Sequence, residues 1–205
     1  PQKVTDEMTK ISRMVLLPQA FILGGFIIFG DSFVRLWAGE NYREAYPIAL
    51  CIMASWTVQL TSDYGNSLLE ARGKVRTLSV INFICIFVAA IASYYASLQW
   101  GLTGLISTLC CGTIAATIAA HIYYHKKIGL ETGLYFKAVY MRIIVFTACV
   151  VALGRIVWQI IAQPYQWGWL AAGCIAYALV YVTVIYKAAL TQEEREKLKT
   201  LCLRK

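Results

Sequence analysis

The sequence predicts an all-α integral membrane protein with about six transmembrane helices, and three observations carry that prediction. Of 205 residues, 59% are hydrophobic and 15% charged, with a mean hydropathy of +0.60. Soluble domains run at about 45–50% and 25%, and a soluble chain of this size could not bury so much apolar surface. The apolar residues also gather into six stretches of about 20 residues, the length of a helix that crosses the hydrocarbon core. Finally, the net charge of +8 comes from basic residues at the ends of those stretches. That pattern speaks for membrane topology and against a nucleic-acid partner.

The first span runs from about Ile11 to Phe29 and contains Pro18 and Gly24-Gly25. A proline inside a spanning helix frees a carbonyl and kinks the helix, which is tolerated where neighbours satisfy the freed group. Asp31 to Trp37 reads as a short interfacial helix capped by Asp31, with Phe33, Leu36 and Trp37 resting among headgroups. Gly39 ends it.

The second span, about Glu44 to Leu69, carries the most information. Gln59, Asp63, Asn66 and Glu70 recur four, three and four residues apart. At about 100° per residue they fall within roughly 60° of one another. A polar stripe on an apolar helix has to face something other than lipid. Gly73-Lys74-Val75-Arg76 closes the helix with a basic turn.

The third span, about Leu78 to Leu98, carries Asn82. The fourth runs from about Leu102 to Tyr124, and the short Gln99-Trp100-Gly101 connection forces an antiparallel hairpin. Gly101, Gly104, Ser107, Cys111, Gly112 and Ala115-Ala116 lie at helical spacing on the fourth span. Rows of small residues let helix backbones approach closely in lipid. The fifth span, about Val139 to Ala162, joins the sixth, about Trp167 to Tyr186, through Gln163-Pro164-Tyr165-Gln166. Residues 190–205 read as a cytoplasmic amphipathic tail, with Thr191 and Glu194 at capping-box spacing.

Sixteen Lys and Arg residues fall on the side of the two termini, and two, Arg35 and Arg43, fall on the other. Arg155 lies inside the membrane. Both ends are therefore expected in the cytoplasm. Six of the seven cysteines sit in apolar runs, with no CxxC pair and no histidine at ligand spacing. They read as small buried hydrophobes. The chain opens Pro1-Gln2-Lys3-Val4, with neither an initiator methionine nor a signal peptide, and reads as cut from a longer protein.

Four patterns together carry a family resemblance. They are FGDSFVRLWAGENYREAYPIAL at Phe29–Leu50, GNSLLEARGKVR at Gly65–Arg76, WGLTGLISTLCC at Trp100–Cys111 and LTQEEREKLKTL at Leu190–Leu201. In order and spacing they resemble the C-terminal half of a polysaccharide (Wzx-type, O-antigen or exopolysaccharide) flippase. That family belongs to the multidrug/oligosaccharidyl-lipid/polysaccharide exporter superfamily. The resemblance implies a partial lobe of a two-lobe transporter working by alternating access, with the N-terminal lobe absent from this chain. It implies a lipid-linked glycan substrate on a polyprenyl diphosphate, flipped across the bacterial inner membrane. Its partners would be that substrate, the missing lobe and membrane lipids. It implies no cofactor and leaves open a coupling ion, H+ or Na+. The alternatives are a drug or peptidoglycan-precursor exporter of the same superfamily, or a non-transporting subunit of a polysaccharide synthesis complex.

The candidate pathway residues are Asp63, Gln59, Asn66, Arg13, Gln19, Asn82 and Arg155. An ionisable group well inside a span is costly and usually faces a water-filled cavity or a partner. Asp63, helped by Gln59 and Asn66, reads either as a proton or cation site or as a helix-packing hydrogen bonder. Glu70, nearer the interface, reads as a surface partner for Lys74. Arg155 is placed to snorkel outward, although arginine is also the natural ligand for a diphosphate. Arg13 and Lys10 stand at the mouth of the first span, where they meet a lipid diphosphate or simply anionic headgroups. Gln19 follows Pro18 and is placed to satisfy the backbone freed by the kink. His121 and His125 are four apart with no third metal ligand in sight, so no metal is expected. No GxSxG, P-loop or HExxH is present, and the chain is expected not to be an enzyme.

Overall fold

The computed structural model describes residues 2–71, 73, 75–128, 132–161 and 166–189, and every described element is helical. Helix α1 spans Gln2–Ala38. A 3-10 turn, Glu40–Tyr42, leads to α2 (Ala45–Ala71) and then α3 (Val75–Ile128). A short α4 (Thr132–Phe136) passes through a π-helical turn, Lys137–Met141, into α5 (Arg142–Ile160). Last comes α6 (Trp167–Val184), which ends in a second π-helical turn, Ile185–Ala189.

Four helical stretches are long and apolar enough to cross a membrane: Met8–Ala38, Arg76–His125, Lys137–Ile160 and Trp167–Lys187. Helix α2 is not among them, because its polar stripe interrupts the apolar run. Its hydroxyls are satisfied locally. Ser55, Thr57, Thr61, Ser62 and Ser67 each donate to a carbonyl one turn back, at 2.6–3.2 Å. That back-bonding is what lets hydroxyls sit on an apolar helix.

Helix α3 is a hairpin. Gly101 has φ 60° and ψ −145°, which breaks the helix between its two arms. Gly112 on the second arm lies directly against Ala89 on the first. A Cβ at Gly104 would come within 2.6 Å of the Ala96 carbonyl. The small-residue row therefore does what the sequence predicts, closing the two arms on each other.

The segment at Asp31 differs from its expectation. It is not a separate interfacial helix with Asp31 as its cap, because α1 continues unbroken through Pro18 and Asp31 to Ala38. No helix breaker stands between Asp31 and Ala38. The Asp31–Arg35 pair, four residues apart and 3.2 Å between charged atoms, supports the helix instead. The chain turns only at Gly39, at φ 95°.

Two apolar cores hold the bundle together. One joins Met8 and Leu16 of α1 to Leu69 of α2, Leu78 and Tyr124 of α3, and Tyr135 of α4. The other joins Ile28 and Phe29 of α1 to Val150 and Val151 of α5 and to Leu170, Tyr177 and Tyr181 of α6. Helix α1 is common to both. The opposite faces are apolar and open, with Phe83, Phe87 and Leu98 on α3, Leu153 and Ile160 on α5 and Leu179 on α6 all exposed. Such faces suit hydrocarbon rather than water.

The cysteines also differ from expectation. None of the six described is fully buried: Cys111, Cys149 and Cys174 are exposed, and Cys51, Cys85 and Cys110 are half-buried. The three exposed ones lie on outward faces, where a small apolar group is as acceptable in lipid as in a core. The tail at 190–205, with its capping box, lies outside the described residues.

Close packing makes one substitution informative. A Cβ at Gly65 would come within 2.7 Å of the Tyr124 ring and 3.2 Å of the Met8 methyl. Gly65→Ala is therefore expected to destabilise the bundle by about 1–3 kcal/mol through overpacking. Thermal unfolding in lipid nanodiscs checks this, and an unchanged Tm would refute it.

Candidate functional site

The polar stripe of α2 faces the α3 hairpin. Between them is a small cavity of about 50 Å³, room for a few waters. Gln59, Ser62 and Asn66 of α2 line it, with Asn82 from the first arm of α3 and Thr113, Thr117 and Tyr124 from the second. Three of the predicted residues, Gln59, Asn66 and Asn82, are thus brought together by two elements separated by the Gly73 turn.

Asp63 stands beside this cavity and is half-buried. Its carboxylate accepts a hydrogen bond from the Asn66 amide nitrogen at 3.1 Å, and the Tyr124 hydroxyl donates to the Asn66 amide oxygen. The chain Tyr124–Asn66–Asp63 fixes which way the amide points, since nitrogen must face the carboxylate and oxygen the phenol. Glu70 is exposed in the last turn of α2. Its expected pairing with Lys74 lies outside the described residues.

A second polar network, unforeseen in the sequence, sits where α1, α2 and α4 meet. Ser12 and Thr61 are each 1% exposed. The Ser12 hydroxyl donates to the Thr61 carbonyl at 2.7 Å. The Tyr135 hydroxyl lies 2.8 Å from Ser12 Oγ and 3.1 Å from the same carbonyl. Burial pushes the Tyr135 phenol above its ordinary acidity range, so it keeps its proton and donates. Thr61 gives its own proton to backbone carbonyls, so the 2.6 Å contact with Tyr140 is donated by the tyrosine. The sequence held one signal for this network: Thr57 and Thr61 are four apart and alternate with Gln59 and Asp63.

Arg13 is buried, at 7% exposure, and donates to the Ala138 carbonyl at 2.8 Å in the π-helical turn. It therefore points into the bundle and not toward headgroups. Gln19 keeps its Oε1 buried with no hydrogen-bond partner among the described residues.

Arg155 also departs from its expectation. Instead of snorkelling outward, its guanidinium turns to α1 and donates to the carbonyls of Ile27 at 3.2 Å and Ile28 at 2.9 Å. A carbonyl within reach offers more than a stretch toward the interface, because it accepts the donor without straightening the side chain. His121 is buried and His125 exposed, and no group of three or more His, Cys, Asp or Glu able to hold a metal occurs among the described residues. A wider groove of about 500 Å³ opens between α1, α5 and α6, but Phe29, Trp158, Trp169 and their neighbours make it almost wholly apolar.

Compared with known proteins, the chain matches no family model, no curated protein and no solved structure.

The Tyr124–Asn66 contact can be isolated by a double-mutant cycle of Tyr124→Phe and Asn66→Ala. Interhelical hydrogen bonds in membranes are worth about 0.6–2 kcal/mol. A coupling energy in that range is expected from unfolding in nanodiscs, and strictly additive effects would show that the bond is not made.

Proposed function

We propose that the chain is part of a flippase that carries a lipid-linked glycan precursor across the bacterial inner membrane. In this reading six spans (α1, α2, the two arms of α3, α5 and α6) form a partial lobe, with both ends in the cytoplasm. No reaction is catalysed: the substrate is moved and not changed. The motif resemblance supports the reading, and so does the basic asymmetry of the loops. The observation that carries it is the α2 stripe, whose Gln59 and Asn66 meet Asn82 and Tyr124 around a polar cavity inside the apolar bundle. A wettable wall between apolar helices is what a transport path requires.

The second reading is a non-transporting subunit of a polysaccharide synthesis complex. It is favoured by the way the charged groups are engaged, with Asp63 bonded to Asn66, Arg13 to a carbonyl and Arg155 to two carbonyls. Each of these bonds is a packing role.

Complementation separates the two readings. The full-length protein carrying Asp63→Asn or Asp63→Ala would be expressed in cells that lack their own glycan-precursor flippase. Surface glycan, accumulated precursor and membrane protein level are measured together. Transport predicts that surface glycan falls and precursor accumulates while protein level holds. Normal export by both variants would make Asp63 a packing group. An unmutated protein that fails with a matched substrate would overturn the flippase reading itself.

A further inference from the structure

We propose that His121 is a proton-operated latch for the end of the bundle where α2, α3 and α4 meet: its neutral ring joins the three elements, and protonation releases α4. The inference does not depend on the transport reading.

The ring is 3% exposed and sits among three aromatic side chains. Its centroid lies 5.5 Å from that of Tyr124, 5.5 Å from Tyr135 and 5.0 Å from Phe136, the last two belonging to α4. On the α2 side, Nε2 lies 2.8 Å from Ser62 Oγ. Ser62 gives its single proton to the Val58 carbonyl. We therefore assign the contact as an imidazole N–H donated to the hydroxyl, the neutral tautomer with hydrogen on Nε2. Nδ1 is then a bare lone pair, and it is buried with no partner among the described residues.

This pocket suits a neutral ring and no other form. A second proton has to go on Nδ1, where it would create a positive charge and a donor with no acceptor among the described residues. The surrounding titratable and charged groups do not help. Arg13 of α1 is itself cationic and held by Ala138. The carboxylate of Asp63 on α2 is turned to Asn66. Tyr124 and His125 of α3, Tyr135 of α4, and Tyr140 and Lys137 of the π-helical turn offer no anion. Aromatic faces attract a cation, but less strongly than burial of an unpaired ion opposes it.

The charged ring gains most by reaching water, and one wall gives way most easily. Helices α2 and α3 are long and packed together, whereas α4 has five residues, of which Tyr135 bonds Ser12 and Phe136 packs on the ring. The polar cavity lined by Ser62 and Tyr124 lies beside the ring. Histidine is the side chain whose ordinary charge change falls in the physiological range.

The chain has two histidines, so ring-nitrogen NMR of the full chain in lipid nanodiscs reads both. The same samples serve for amide hydrogen exchange. At about pH 7.5 a single neutral His121 signal with hydrogen on Nε2 is expected. On acidification to about pH 5, amides of residues 132–141 are expected to exchange about tenfold faster, after correction for intrinsic rates. His121→Phe keeps the ring stack but takes no proton and should abolish that response, whereas His125→Phe should retain it. If His121→Phe fails to accumulate, His121→Gln keeps a donor for Ser62 without titrating and answers the same question. The proposal is overturned by an Nδ1–H tautomer at neutral pH or by native protection that does not change in acid. It is equally overturned by a response that survives loss of His121.

Discussion

Side-chain donors from three helices end on the backbone carbonyls of one, and the arrangement of the bundle depends on that convergence. Arg155 of α5 donates to Ile27 and Ile28, Tyr46 of α2 to Ile27, and Tyr177 and Tyr181 of α6 to Phe21 and Leu17. A helical carbonyl already accepts one amide proton but keeps a second lone pair. Away from water these donors have few other acceptors, so they fix how α2, α5 and α6 are turned toward α1. Gly24 makes the approach feasible, since a Cβ there would meet the Tyr177 hydroxyl at 2.5 Å. Phe21 then stacks on the Tyr177 ring at 5.2 Å.

The far end of α1 is organised by charge instead. Asp31 sits between Arg35 at 3.2 Å and Arg43 at 3.4 Å, and Arg35 also reaches Glu40. Pairs near the surface contribute little to stability one by one. Here they share a carboxylate across the 3-10 turn, which ties the exit of α1 to the entry of α2. The two basic residues that break the loop asymmetry, Arg35 and Arg43, are the ones neutralised in this way. Their presence at this turn thus has a structural cause.

Much of this was legible in the sequence, and what was missed has a common character. The α3 hairpin could be read because Gly101 and the row of small residues announce both the turn and the close contact. The α2 stripe could be read because amides and a carboxylate contrast with the apolar residues around them. Tyr135, Tyr140, Tyr177 and Tyr181 show no such contrast: in a hydropathy pattern a tyrosine that donates to a neighbour's carbonyl looks like one lying at the interface. Arg155 and Arg13 were visible as charges, but their direction was not, because a helix sequence does not say which neighbour presents a carbonyl within reach. The extent of α1 past Asp31 was missed for a local reason. A good capping residue was present, but with Arg35 one turn on it forms a helix-supporting pair instead.

The charges that enter the bundle are engaged in holding it, and this bears on what the cavity can recognise. Arg13 and Arg155 are bonded to carbonyls, and Asp63 is screened by Asn66. The wall that remains mixes neutral amides and hydroxyls from Gln59, Asn66, Asn82, Thr113 and Thr117 with the apolar Ile86, Ala116 and Ala120. Neutral groups of that kind hydrate a surface and match sugar hydroxyls, but a diphosphate calls for guanidinium or ammonium partners. In the flippase reading, then, this wall holds water rather than a sugar ring, since the cavity of about 50 Å³ has room for only a few waters.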